Sequence, residues 1–173
     1  APARKALGQH FLFDPSILKR AANAAGSPKG KTVIEVGPGP GGLTRAILNE
    51  EPALRMAVET DPRFSEALLG WPEAKSGKMQ VIAKDARKVH WEKVLEEAGA
   101  ETPAMIIANL PYNVGTPLLI DWLKAGDWRG NMALMFQKEV AERICAKPDT
   151  SAYGRLAVLA QAVTKPYIAF TLP

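Results

Sequence analysis

The 173-residue chain has one cysteine, Cys145, which excludes a disulfide framework and fits a reducing, cytoplasmic setting. It has two histidines, His10 and His90, and neither they nor Cys145 fall at metal-ligand spacings, so no metal site is expected. No apolar run approaches the roughly 18 residues that a membrane-spanning helix needs, so no membrane association is expected. The opening Ala1-Pro2-Ala3-Arg4-Lys5 is basic and is not followed by the apolar stretch of a signal peptide. Repeats and low-complexity tracts are also missing. What is present is ordinary for one globular domain: 47% hydrophobic and 23% charged residues, which excludes a disordered or collagen-like chain.

The net charge of +4 is unevenly placed. Residues 1–31 hold Arg4, Lys5, Lys19, Arg20, Lys29 and Lys31 against Asp14 alone, while the rest of the chain is close to neutral. Such a basic arm suits a polyanion, and it equally suits a solvated surface.

Apolar runs alternate with amphipathic stretches. Asp14-Pro15 supplies an N-cap and a first-turn proline for a helix whose apolar face is Ile17, Leu18, Ala21 and Ala22, with Gly26 to end it. Strands are expected at 32–36, 54–59, 79–83, 104–108 and 132–136. Helices are expected from 42 to about 51 and at 62–69, 89–98, 117–124, 138–146 and 156–163, before an extended segment at 167–170. Five strand–helix alternations predict an α/β domain, a mostly parallel sheet with helices on both faces. Ligands of such sheets bind beyond the carboxyl ends of the strands, which draws attention to Glu35, Glu59, Asp85 and Asn109.

The first strand runs into Gly37-Pro38-Gly39-Pro40-Gly41-Gly42, a G-x-G-x-x-G turn opening a helix. Glu59 lies 20 residues beyond Gly39, where a carboxylate suits the hydroxyls of an adenosine ribose. The pattern serves dinucleotides and S-adenosyl-L-methionine alike. Three features favour the latter. Glu35 sets a carboxylate beside the loop, where an amino group would be welcome and a pyrophosphate would not. Asp85-Ala86 after the third strand is placed for an adenine amine. The third is a motif after the fourth strand.

That motif is Asn109-Leu110-Pro111-Tyr112. An exocyclic adenine amine is a poor nucleophile because its lone pair is delocalised into the ring. Two acceptors, the Asn109 side-chain oxygen and the Leu110 carbonyl, can hold both amine hydrogens and turn the lone pair toward a sulfonium methyl. Pro111 stiffens the turn, and Tyr112 offers a face for an extruded base. Positioning and electrostatics supply most of such a transfer. A plain Asn-x-Pro turn is the simpler alternative.

Together with Leu7-Gly8-Gln9-His10-Phe11-Leu12, Glu59-Thr60-Asp61, the run from Gln137 to Arg143, and Tyr153-Gly154-Arg155-Leu156, these motifs make the chain resemble the ribosomal RNA adenine N6,N6-dimethyltransferase family. Its bacterial small-subunit branch is the nearest likeness. The resemblance implies a Rossmann-like class I methyltransferase fold, with residues 1–31 as arm and first helix of a catalytic domain that continues through 32–173. It implies a donor site drawing on Gln9, His10, Leu12, Glu35, Gly37, Gly39, Glu59, Asp85 and Ala86, with Asn109 shared with the target base. It implies twofold methylation of adenosine N6 in small-subunit rRNA, or in an immature small subunit, by a monomer of the cytoplasm. Arg4, Lys5, Phe11, Lys19 and Arg20 would lead RNA toward the donor. Two departures stand out: His10 where the family has Asn, and a chain that stops before the family's final antiparallel strand and C-terminal helical domain. The rivals are an adenine-N6 DNA methyltransferase, which usually carries Asp/Asn-Pro-Pro-Tyr, and a non-catalytic RNA-binding assembly factor.

Overall fold

A computed structural model describes residues 13–110 and 114–172. The chain divides into two compact units. One comprises Ala1–Asn109 with Asp127–Leu134, the other Leu110–Gly126 with Met135–Pro173.

The first unit opens with helix α1, Pro15–Ala22, capped by Asp14, whose carboxylate accepts from the Ser16 amide at 2.9 Å. Strands β1 (Thr32–Val36), β2 (Leu54–Val58), β3 (Met79–Ile82), β4 (Ala104–Asn109) and β5 (Arg129–Met135) form one sheet in the order β3-β2-β1-β4-β5. The β1–β2, β1–β4 and β2–β3 pairs are parallel, with Glu35 opposite both Ala57 and Ile107. The expected parallel α/β sheet is therefore what forms. Chain order reverses between β1 and β4, the switch point at which such sheets bind ligands. A strand with neighbours on both sides and helices above reads as continuous apolar sequence. In β1 all five residues are buried, and Glu35 is the one charged member.

Helix α2 (Gly42–Asn49) follows the glycine loop and packs on α1. Helix α3 (Pro62–Leu69) takes its N-cap from Asp61 and its first-turn proline from Pro62. Ala57, Leu68 and Met79 form a buried cluster, joined by Leu48, Trp71, Ala74 and Val81, so α2, α3 and the single-turn α4 (Pro72–Lys75) cover one face of the β2–β3 side. Helix α5 (Trp91–Glu97) starts later than the periodicity suggests, because Ala86–Lys88 is taken into a 3-10 turn capped by Asp85. Strand β5 begins three residues before Met132, through the polar Arg129-Gly130-Asn131, which an apolar-run criterion passes over.

In the second unit, α6 (Gly115–Leu123), α7 (Lys138–Ile144) and α8 (Arg155–Val163) pack through α8. The Gln161 side-chain amide donates to the carbonyls of Ile144 (3.2 Å) and Ala146 (2.7 Å), satisfying the C-terminal end of α7. Residues 167–170, expected to be extended, form no strand.

Candidate active site

The glycine loop leaves the central strand of the sheet and must turn sharply enough to start α2 above it. Gly37, Gly39 and Gly41 all have left-handed φ, at 71°, 54° and 95°. Each is open or closed for a different reason. A Cβ on Gly37 would lie 2.9 Å from the carbonyl oxygen of Asn109, so the loop and the end of β4 touch backbone to backbone. A Cβ on Gly41 would meet the Trp71 ring at 2.8 Å. At Gly39 a Cβ would meet nothing within 4 Å among the described residues, which leaves the middle of the loop open on their side. The Gly37 amide donates to the Val58 carbonyl at 3.0 Å, tying the loop to the end of β2. The N-cap of α2 is Gly41, so no capping side chain accepts from its leading N–H groups, and no other side chain among the described residues does so.

Glu59 stands directly after β2 and is nearly buried. Its Oε1 accepts from the Gly39 amide at 3.2 Å and its Oε2 from the Thr60 amide at 3.0 Å. The 20-residue separation noted in the sequence is thus a direct contact between carboxylate and glycine loop. A carboxylate offers about four acceptor sites, so two remain for ligand hydroxyls.

Asp85 is exposed, three residues past β3, and its Oδ1 accepts from the Arg87 amide at 3.0 Å, while Ala86 behind it is buried. Asn109 ends β4, half-buried, with its carbonyl against Gly37. The structure thus brings Gly37, Gly39, Glu59 and Asn109 together in one unit. Leu110 belongs to the second unit, where its amide donates to the Met135 carbonyl at 3.4 Å. Pro111 and Tyr112 of the same motif lie outside the described residues, as do Arg4, Lys5, Gln9, His10, Phe11 and Leu12. Lys19 and Arg20 are exposed on the last turn of α1.

Glu35 is placed differently from the other strand-end acids. Its side chain points into the protein and has no exposure. Oε1 accepts from the Thr44 hydroxyl at 2.8 Å and is ion-paired with Nη2 of Arg55, which also donates to the Thr44 hydroxyl oxygen at 3.0 Å. Among the described residues Oε2 has no hydrogen-bond partner. Arg55 is as deeply buried, on β2, and its Nη1 reaches the Met79 sulfur. Burial pushes the guanidinium down to about 9, which still leaves it charged at neutral pH. Sequence reasoning missed Arg55. The available signal was a single Arg inside an otherwise apolar strand, with an unexplained acid in the strand beside it.

On the outer side of α2, Arg45 lies over the Trp71 ring, 4.5 Å from its centroid, and pairs with Glu73 at 2.6 Å. The tryptophan therefore packs against the loop. Among the described residues there is no group of acids, histidines and cysteines able to hold a metal, and no helix long and apolar enough to cross a membrane.

A family profile described as ribosomal RNA adenine dimethylase matches residues 1–168. Among curated proteins, the chain is 49% identical over 174 residues to the ribosomal RNA small subunit methyltransferase A of Chelativorans sp., covering 99% of this chain and 62% of that protein. It is 49% identical to the protein of the same name from Caulobacter vibrioides, covering 99% of this chain and 64% of that one. It therefore spans less than two-thirds of the length of these relatives. A crystal structure of a dimethyladenosine transferase from Plasmodium falciparum superposes with a TM-score of 0.70 at 26% identity, covering 86% of this chain and 50% of that one. The 23S rRNA methyltransferase ErmE shares the fold, with a TM-score of 0.62 at 24% identity, covering 85% of this chain and 54% of that one.

Proposed function

The chain belongs to the ribosomal RNA adenine dimethylase family, and from that premise we propose that it transfers methyl groups from S-adenosyl-L-methionine to N6 of adenosines in small-subunit rRNA, twice per base. The observation that carries the proposal is the contact of Gly37 with the Asn109 carbonyl, which sets the start of the Asn-Leu-Pro-Tyr motif against the glycine loop.

The residues fit the donor. Gly39 presents backbone to space that the described residues leave open, and Glu59 beside it keeps acceptor sites for two ribose hydroxyls. Asp85 uses Oδ1 to cap its own turn, so Oδ2 is the oxygen to accept from the adenine amine, with Ala86 lining the same place. Glu35 serves the amino group through Oε2, directly or by way of a water. Gln9, His10 and Leu12 would close over the methionine end. When bound, the donor supplies an electrophilic methyl on a sulfonium centre.

The protein's part is to hold the acceptor amine. The Asn109 side-chain oxygen and the Leu110 carbonyl take its two hydrogens, which removes lone-pair delocalisation and aims the nitrogen at the methyl. Tyr112 stacks on the base, and Pro111 fixes the turn between them. The amine becomes strongly acidic once methylated, so its proton leaves to water without a dedicated base. A base has to be single-stranded or flipped to enter. Lys19 and Arg20, with Arg4, Lys5 and Phe11, would guide the RNA backbone toward the site. The partner is then small-subunit rRNA or an immature small subunit, met in the cytoplasm by a monomer.

The test is incubation with labelled methyl donor and, separately, immature small subunits, naked rRNA and duplex DNA, followed by digestion to nucleosides. Label in N6-methylated adenosine from subunits or rRNA is expected. Label confined to DNA would give the reaction to a DNA methyltransferase, and donor binding with no label in any adenine would leave a non-catalytic RNA-binding factor.

A further inference from the structure

Arg55 sits in the second position of β2, two residues short of the level of Glu35 on β1, and on the same side of the sheet. Val33 is the register partner of Arg55, and strand residues two apart share a face, so Arg55, Val33 and Glu35 line one side. The guanidinium reaches along that face toward the carboxyl ends of the strands. There it meets two groups that bracket the glycine loop. Glu35 lies two residues before Gly37, and Thr44 stands in the first turn of α2, three residues after Gly41. One buried side chain thus joins the strand entering the loop to the helix leaving it, through Glu35 Oε1 and the Thr44 hydroxyl.

A charge in a strand core is an expensive way to fill space. An apolar side chain of similar volume would stabilise the fold at least as well. What the guanidinium supplies that an apolar group does not is direction: Nη1 on the Met79 sulfur sets the plane of the group, and Nη2 then meets the Glu35 carboxylate and the Thr44 hydroxyl oxygen together. With Oε1 engaged by both Arg55 and Thr44, Oε2 is left as the oxygen without a partner among the described residues, buried at the base of the loop.

We propose that Arg55 is a positioning residue for the methyl-donor site, holding the glycine loop at both ends and turning the free oxygen of Glu35 toward the donor. The inference rests on the donor-site reading of this loop. Arg55 touches neither donor nor base. It acts through Glu35 and Thr44.

Isothermal titration of the chain with S-adenosyl-L-methionine and with S-adenosylhomocysteine separates this role from a purely structural one. The fitted stoichiometry reads the fraction of molecules with a formed site, and the Kd reads how well a formed site is arranged. The variants are Arg55→Lys, which keeps a cation for Glu35 but lacks the second nitrogen that anchors the group on Met79, and Thr44→Val, which removes only the hydroxyl. A Kd raised about tenfold in Arg55→Lys and several-fold in Thr44→Val, at unchanged stoichiometry, is expected. Unchanged Kd with reduced stoichiometry, in either variant, would make Arg55 a folding element and overturn the proposal. If Arg55→Lys does not fold, Thr44→Val alone decides on the same criterion. Failure of the unsubstituted chain to bind either compound is a separate result: it removes the donor-site reading, and this inference with it.

Discussion

The amide of Gly39 donates to Oε1 of Glu59 at 3.2 Å, joining the middle of the glycine loop to the residue that follows β2. Loop and acid are thereby held together by the protein itself. Donor hydroxyls find a carboxylate already held, and the ordering entropy of binding is lower for it. Glu59→Gln keeps the shape and one acceptor oxygen but loses the charge. Hydrogen bonds to charged groups are worth about 1.5–3 kcal/mol, so donor affinity should fall by about tenfold or more while the urea midpoint moves little. Titration calorimetry beside equilibrium unfolding checks both halves. An unchanged Kd would detach Glu59 from the donor.

Gly37 and Gly39 make a paired prediction. Both have left-handed φ, which costs an alanine about 1–2 kcal/mol. Gly37→Ala also drives a Cβ into the Asn109 carbonyl, so it should lose clearly more stability than Gly39→Ala, whose Cβ meets space that the described residues leave open. Donor affinity should fall in both, since at Gly39 that open space is where the donor is to lie. Equal stability losses would contradict the backbone contact between loop and β4. An unaffected Kd in Gly39→Ala would move the donor elsewhere.

Much of this fold was legible because it rests on local signals. Asp14-Pro15 and Asp61-Pro62 mark helix starts through the same capping chemistry, and apolar runs mark β1 and β4. Features that depend on partners distant in sequence were not legible. Glu35 was legible as an acid beside the glycine loop, but its pairing with a buried cation was not, since nothing near it in sequence announces one. Its partner Arg55 is 20 residues away and becomes a neighbour only when β1 and β2 pair. The one-turn helix Pro72–Lys75 is too short to show a period, and Arg129-Gly130-Asn131 enters β5 because β4 lies beside it rather than through any apolar pattern.

Asp61 offers a pH test of the α3 cap. The Arg63 side chain, and after it the Arg63 amide, hold the Asp61 carboxyl below its ordinary value of 3.8. A carboxylate whose folded pKa is depressed contributes stability that is fully present above the unfolded value and is lost as pH falls through the folded one. Asn caps a helix about as well as Asp, so Asp61→Asn removes the charge while keeping the cap. Its urea midpoint should sit slightly below that of the unsubstituted chain at pH 5–7, and the gap should close as pH falls below about 4. The effect will be small because the pair is exposed. A gap that does not narrow at all as pH falls below 3.8 would mean the charge is not its source.

Asn109 separates catalysis from binding. Its backbone carbonyl, not its side chain, is what lies against Gly37, so truncating the side chain leaves the loop contact intact. The side-chain oxygen is assigned to the acceptor amine, whose lone pair is useful only when both hydrogens are held. Asn109→Ala should therefore reduce methyl transfer by about 100-fold or more, in the range of losing one aligned acceptor in a preorganised site. Donor Kd should change by less than about threefold, since little of the donor's binding rests on that oxygen. Asn109→Asp is the sharper variant. It keeps an acceptor in place but adds a charge beside the sulfonium, so it should bind donor at least as tightly as the unsubstituted chain and still transfer more slowly, because the donor's ground state gains from the charge and the transition state, with its sulfonium charge dispersing, gains less. Single-turnover transfer to rRNA, read beside calorimetric donor binding, distinguishes these effects. If Asn109→Ala loses donor binding in proportion to transfer, Asn109 belongs to the donor site alone, and another group must hold the amine.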